Sequence, residues 1–198
     1  MTDEKRPYRK KRRAELEEQT RLRITESAME LHGSIGPSRT SMSAIAERAG
    51  VRRSTLYRHF PDEAAVFAAC SAHWRDANPA PDPGAWAAIA DPDERLATAL
   101  DELYPHYRST EPMMANLHRD EALNPTVKQT FSAFHGYLAA CADVLMGGRS
   151  LRGHARRRVR AAIGHALSFR TWQSLSAQGL DDAEAAELMR RFVREASE

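Results

Sequence analysis

The chain has 198 residues, of which 42% are hydrophobic, with 29 basic and 27 acidic side chains and a formal net charge of +2. That length predicts one domain, or one with an appendage, and a core large enough to stand without disulfides, while the hydrophobic content excludes a disordered chain. The charge is uneven: residues 1–60 hold 14 basic and 8 acidic residues, a net of +6, and residues 61–198 hold 15 and 19, a net of −4, which points to an anionic partner for the first part.

The run Lys5-Arg-Pro-Tyr-Arg-Lys-Lys-Arg-Arg13 has seven cations in nine residues. It reads either as a solvated disordered tail or as an arm, disordered on its own, that pairs with phosphates through Lys10, Lys11, Arg12 and Arg13. No apolar stretch follows it, so it is not expected to be a signal peptide. Ala, Leu, Glu and Arg dominate the rest and strand alternation is nearly absent, so the predicted fold class is all-α, with about nine helices. The first should run from about Glu15 to His32, with Ile24, Ala28 and Leu31 on its buried face, and Gly33-Ser-Ile-Gly-Pro37 ends it. Short helices follow over Met42–Ala49 and Arg53–His59, and a fourth from Pro61-Asp62 to about Asp76. Asn78-Pro-Ala-Pro-Asp-Pro-Gly84 is the clearest linker. Asp91-Pro-Asp-Glu94 is a strong helix start, and Thr110-Glu-Pro112 and Asn124-Pro125 are similar ones. Pro105 lies inside a helix and should kink it. Gly147-Gly148 closes the helix begun at Asn124. A long helix over about Leu151–Ala177 and a last one capped by Asp181 complete the chain.

Two cysteines, Cys70 and Cys141, stand far apart in no metal or redox spacing, which predicts core thiols in a reducing, cytoplasmic setting. The excess of Arg over Lys and the abundance of Ala suit a GC-rich bacterial genome. The longest uncharged stretch, Gln129 to Ala142, is too short and polar to span a bilayer, so no membrane partner is expected.

The most informative segment runs from Thr40 to Phe60 and reads as a helix-turn-helix. Ser41 can cap the first helix, Ile45 and Ala49 face the core, and Ala46 is small where two helices meet. Gly50 supplies a left-handed turn conformation, Val51 plugs the turn, and Leu56 and Phe60 hold the second helix down. Arg53, Ser54, Tyr57 and Arg58 then point outward, a set suited to a DNA major groove.

Ile24, Ala28 and Leu31, then Thr40-Ser-Met42, Ile45-Ala-Glu-Arg-Ala-Gly-Val51 and Thr55-Leu-Tyr-Arg-His-Phe-Pro61, resemble the TetR/AcrR family of bacterial transcriptional regulators over about residues 21–77. The resemblance implies a basic arm and the start of the first helix over 1–20, a DNA-binding domain over 21–77 with its helix-turn-helix at 41–60, and a regulatory and dimerisation domain over 78–198. It places Arg53, Ser54 and Tyr57 in the major groove, with Ser43 able to reach a base. Thr55, Tyr57 and His59 would hold phosphates, and Arg52 could do either. Three positions depart from the family pattern. Glu63 stands where a phosphate-binding Lys is usual, His32 where Phe is usual, and Pro37 replaces an aromatic. A satisfied, partly buried His32 is expected rather than a sensor.

Reading two half-sites requires a dimer. Val159, Ile163, Ala166 and Leu167 form one apolar stripe, and Leu188, Met189 and Phe192 a matching one. Either could also fill the core of a single chain. Arg149, Arg152, Arg156, Arg157, Arg158 and Arg160 form a second basic cluster, expected to serve solubility or acidic partners within the dimer. The middle helices offer Tyr104, Tyr107, Met113, Asn116, Phe131, Phe134, His135 and Trp172 as lining for a mainly apolar small-molecule effector. The expected function is a ligand-responsive repressor on a palindromic operator in double-stranded DNA, with no cofactor and no metal; a sequence-neutral DNA-coating protein is the main alternative. An enzyme is not expected. His118-Arg-Asp120 with Asn124 resembles a kinase catalytic loop, but the Asn is one residue too close and no Gly-rich loop is present.

Overall fold

The computed structural model describes residues 5–197, with side chains from Tyr8 onward. The first four positions of the expected arm, the side chains of Lys5 and Arg6 in its cationic run, and residue 198 lie outside the described residues. The described residues form ten α-helices and one short 3-10 turn, so the all-α class holds with one helix more than expected. In chain order they are α1 (Lys5–Ser34), the 3-10 turn (Pro37–Arg39), α2 (Met42–Arg48), α3 (Arg53–His59), α4 (Glu63–Ala77), α5 (Pro83–Ala87), α6 (Pro92–Asp120), α7 (Pro125–Met146), α8 (Gly153–Ala166), α9 (Phe169–Ala177) and α10 (Asp182–Glu195).

Several boundaries follow from side chains that satisfy free helix ends. Asp62, Asp82, Asp91 and Asn124 each accept backbone N–H bonds from the turn they open, as cap residues do. Asp181 and Glu184 form a reciprocal capping box.

Four elements differ from the sequence expectation. α1 starts at Lys5 rather than near Glu15. Pro7 falls in its first turn, where no backbone donor is needed, and Arg13 pairs with Glu17 one turn on. The segment over 78–84 is not wholly a linker, since Pro83 opens α5 and α5 buries Trp86. Thr110-Glu-Pro112 starts no helix, because α6 runs through it. The Thr110 hydroxyl donates backward to the His106 carbonyl at 2.6 Å instead of capping forward. The helix expected over Leu151–Ala177 is two helices that part at Leu167 and Ser168. Tyr104 and Tyr107 donate to the Ala166 and Leu167 carbonyls at 2.9 and 2.6 Å, replacing the bonds the break removes.

The described chain divides into two compact units, one of the residues up to Asn78 with Ala115–Thr130 and one of Pro79–Met114 with the residues from Phe131 onward. In the first, α1 packs on α4 and α2, and α2 on α3. Its core joins Ile24, Ala28, Met42, Ile45, Ala46, Leu56, Phe60, Val66, Phe67 and Cys70 with Val127 of α7. In the second, α10 packs on α8 and α9, and Tyr104, Tyr107, Phe169 and Trp172 stack in one buried cluster.

Candidate nucleic-acid interface

The pair α2–α3 is assembled from its turn outward. Gly50 has φ +63°, a left-handed conformation that costs other residues energy. A Cβ there would meet nothing within 4 Å, so conformation rather than space calls for glycine. Val51 N–H donates to the Ala46 carbonyl at 2.9 Å and Gly50 N–H to that of Glu47 at 3.0 Å, closing the end of α2. Ser41 opens α2, its hydroxyl accepting from Ala44 N–H at 3.2 Å. Leu56 and Phe60 are buried and pin α3 to the core.

With those positions inward, Arg52, Arg53, Ser54, Tyr57 and Arg58 stand exposed, as do Ser41 and Ser43 on α2, while Thr55 and His59 are half-buried. Arg53 donates to the Tyr57 hydroxyl at 3.3 Å and lies 5.7 Å from its ring centroid, so the two side chains hold each other on one face. His59 Nε2 is buried without a hydrogen-bond partner. Lys10, Lys11, Arg12 and Arg13 are exposed on α1, on a helix rather than on a disordered arm.

Sequence reasoning missed what holds α3 and the α1–α2 connection. Arg21 donates to the His59 carbonyl at 3.2 Å and sits 4.4 Å over the Phe60 ring. Asn116 donates to the carbonyls of His32 and Gly33 at 3.0 and 2.8 Å. Arg119 donates to the Ile35 carbonyl and to Asp120, and buried Asp120 accepts from Ser38 N–H at 2.9 Å. Gly36 makes this clamp possible: at φ +95°, a Cβ would stand 2.0 Å from Arg119 and 2.7 Å from Asp120. The Arg119-Asp120 pair that resembled a catalytic loop is therefore engaged in holding backbone.

The departures at His32 and Glu63 have local causes. His32 is buried, with Nδ1 3.3 Å from Cys70 Sγ. Burial lowers its pKa from 6.5 to about 4, with Asp120 pulling weakly upward, and burial pushes the Cys70 thiol up to about 12. Both are neutral near pH 7. Glu63 is exposed in the first turn of α4, where a negative charge complements the helix dipole.

The other candidate residues fall in different places. Asn116 belongs to the first unit, whereas Tyr104, Tyr107, Met113, Phe131, Phe134, His135 and Trp172 belong to the second. Tyr104, Tyr107 and Trp172 are fully buried, and the Trp172 indole donates to Asp182 at 2.9 Å. Phe131, Phe134, His135 and Tyr137 form a separate ladder of ring contacts along α7. Val159, Ile163, Ala166 and Leu167 are buried inside the chain and Met189 nearly so, while Leu188 and Phe192 remain 43% and 46% exposed. Half of the second basic cluster is engaged within its unit: Arg149 pairs with Asp93, Arg160 with Asp143, and Arg158 donates to the Ala196 carbonyl.

Residues 24–70 match the profile of the tetR family of bacterial regulatory proteins. That match covers α2 and α3 and the adjoining parts of α1 and α4 of this chain. Its fold is that of TetR-like regulators along most of its length. It is similar to a TetR-like transcriptional regulator from Rhodococcus sp. RHA1, with a TM-score of 0.66 at 18% identity over 89% of this chain and 94% of that one. It is similar to HlyIIR, a hemolysin II transcriptional regulator, with a TM-score of 0.64 at 17% identity over 92% and 99%. NalD, the secondary repressor of the MexAB-OprM multidrug efflux pump in Pseudomonas aeruginosa, matches with a TM-score of 0.61 at 22% identity over 92% and 97%. No curated protein matches the chain. No helix among the described residues of this TetR-like chain is long and apolar enough to cross a membrane.

Proposed function

We propose that this protein is a sequence-specific transcriptional regulator that binds a palindromic operator as a homodimer and is released from it by a small molecule. The observation that carries the reading is the exposed Arg53, Ser54, Tyr57 and Arg58 face on a helix whose opposite side is anchored in a buried core. Arg53 is assigned to a guanine edge, since its planar fork matches O6 and N7. Ser43, Ser54 and Tyr57 reach neighbouring bases. Ser41, Arg52, Thr55, Arg58 and His59 line phosphates, joined by Lys10 and Arg13 of the N-terminal run.

Two exposed apolar side chains, Leu188 and Phe192, support pairing through α10. The stripe of Val159, Ile163, Ala166, Leu167 and Met189 lies behind them and shapes that face. For the effector, the α7 ladder of Phe131, Phe134 and His135 is the apolar feature that supports a mainly apolar ligand. Tyr104, Tyr107 and Trp172 form the separate buried cluster of the same unit. Release follows from a shift in population toward a state whose half-site spacing no longer fits the operator.

A gel-shift series with operator and scrambled duplexes at fixed salt tests the DNA reading. The operator binds at least 1,000-fold tighter, in the usual range for specific complexes. Arg53→Ala loses about 1–3 kcal/mol on operator alone. Equal affinity for both duplexes would instead favour a sequence-neutral coating protein. A compound that raises thermal stability and lowers operator affinity would support the effector reading; stabilisers that leave affinity untouched would reject it.

A further inference from the structure

Residues 10, 13, 17, 21, 24, 28 and 31 follow one another along α1 at spacings of three and four, so they share one stripe of the helix. Its C-terminal half faces the core: Ile24 and Ala28 are fully buried, and Leu31 packs on the same cluster. At Arg21 the stripe meets the end of α3 through the bond to the His59 carbonyl. Past that point it carries Glu17, Arg13 and Lys10, all exposed. At about 1.5 Å per residue, Arg13 and Lys10 stand roughly 12 and 16 Å beyond Arg21 along the axis. Lys11 and Arg12 lie roughly 120–140° around the helix from this stripe, at about 100° per residue.

We infer that the N-terminal part of α1 is a preformed cationic strut that lays Lys10 and Arg13 on DNA phosphates flanking the base pairs under α3. Lys11 and Arg12 face away and take no part. The inference rests on the reading of the protein as a DNA-binding regulator, and changes a diffuse charged arm into a one-sided surface. Arg13 holds Glu17 through Nε at 3.1 Å, and its remaining guanidinium donors are left for a phosphate oxygen. The acidic neighbour on the stripe is thereby neutralised. A helix formed in advance binds without the ordering cost that a disordered arm incurs. The partner is duplex DNA rather than an acidic protein surface, because Arg21 ties the stripe to the end of α3.

Two double variants with equal charge loss test this on the full chain: Lys10→Ala with Arg13→Ala, and Lys11→Ala with Arg12→Ala. Affinity for the operator duplex is measured against salt by fluorescence anisotropy. The first pair lowers the salt slope by about 2, near 0.9 per phosphate contact, and weakens binding about tenfold or more. The second leaves slope and affinity within twofold. Ala14→Pro keeps every cation but breaks the helix beneath them, and loses as much as the first pair. Equal losses from both pairs, no loss from either, or an unaffected Ala14→Pro protein each overturn the strut. Arg53→Ala measured alongside separates the two readings. If it shows its expected loss on operator alone while the pairs behave alike, only the strut falls; if it leaves operator binding intact, the DNA reading falls as well.

Discussion

Gly36 and Gly50 show how one residue type meets two different demands. At Gly50 the requirement is the left-handed backbone alone, so Gly50→Ala is expected to cost about 1 kcal/mol of stability. Gly36→Ala should cost clearly more, because its Cβ also meets Arg119 and Asp120; urea unfolding of both variants checks the order. His32 yields a pH prediction. Its pKa is about 4 when folded and 6.5 when unfolded, so between those values the unfolded chain binds more protons. Its contribution is present in full above about pH 6.5 and is lost as the pH falls toward 4, by up to about 3 kcal/mol. His32→Gln should flatten that part of a stability–pH curve relative to wild type. A curve of unchanged slope would mean that the imidazole is not desolvated. Gly50, Ile45, Leu56 and Phe60 were legible in the sequence because their roles depend on neighbours three to six residues away. Arg21 and Asn116 were not, because their partners lie 38 or more residues away and no local spacing announces them.

At the scale of elements, helix starts were legible wherever a side chain folds back on its own first turn, as at Asp91, Asn124 and Asp181. The break between α8 and α9 was not. Ala166-Leu-Ser-Phe169 holds neither Gly nor Pro, and the freed carbonyls are satisfied by tyrosines more than 55 residues earlier. Tyr104→Phe and Tyr107→Phe should each lower stability by about 1–3 kcal/mol, the cost of a buried acceptor left without its donor. Circular dichroism thermal melts give the comparison. A melt unchanged in both variants would show that the break persists without these hydroxyls. The same logic explains α1: local propensity extends it to Lys5, while the charge of the run suggested a loose tail.

For the whole molecule, the division of charge along the chain keeps its meaning but acquires a geometry. The cations of α1 and α3 belong to one compact unit, and several arginines of α8 and its flank are engaged by acidic or carbonyl groups of the other. The sequence boundary near residue 78 marks only part of the first unit, which also takes in Ala115–Thr130. A fragment of residues 1–78 lacks Asn116, Arg119, Asp120 and Val127, leaving the Ser38 N–H without its acceptor. It should be less helical and melt at lower temperature than the same residues in the full chain, as read by hydrogen exchange at the amides of α1 and α2. Protection equal to that in the full chain would show that the clamp is dispensable. Composition and periodicity revealed that the chain is helical and where its helix-turn-helix lies; they could not reveal a unit closed by a later segment.

That closure has a consequence for biosynthesis. The 52 residues between Asn78 and Thr130 take roughly 3–10 s to add at about 5–20 residues per second. During that interval the α1–α4 segment leaves the ribosome with the backbone of the α1–α2 connection unclamped, open to proteases and chaperones. Stalled nascent chains should therefore gain protease resistance in this segment only once residue 130 has cleared the exit tunnel.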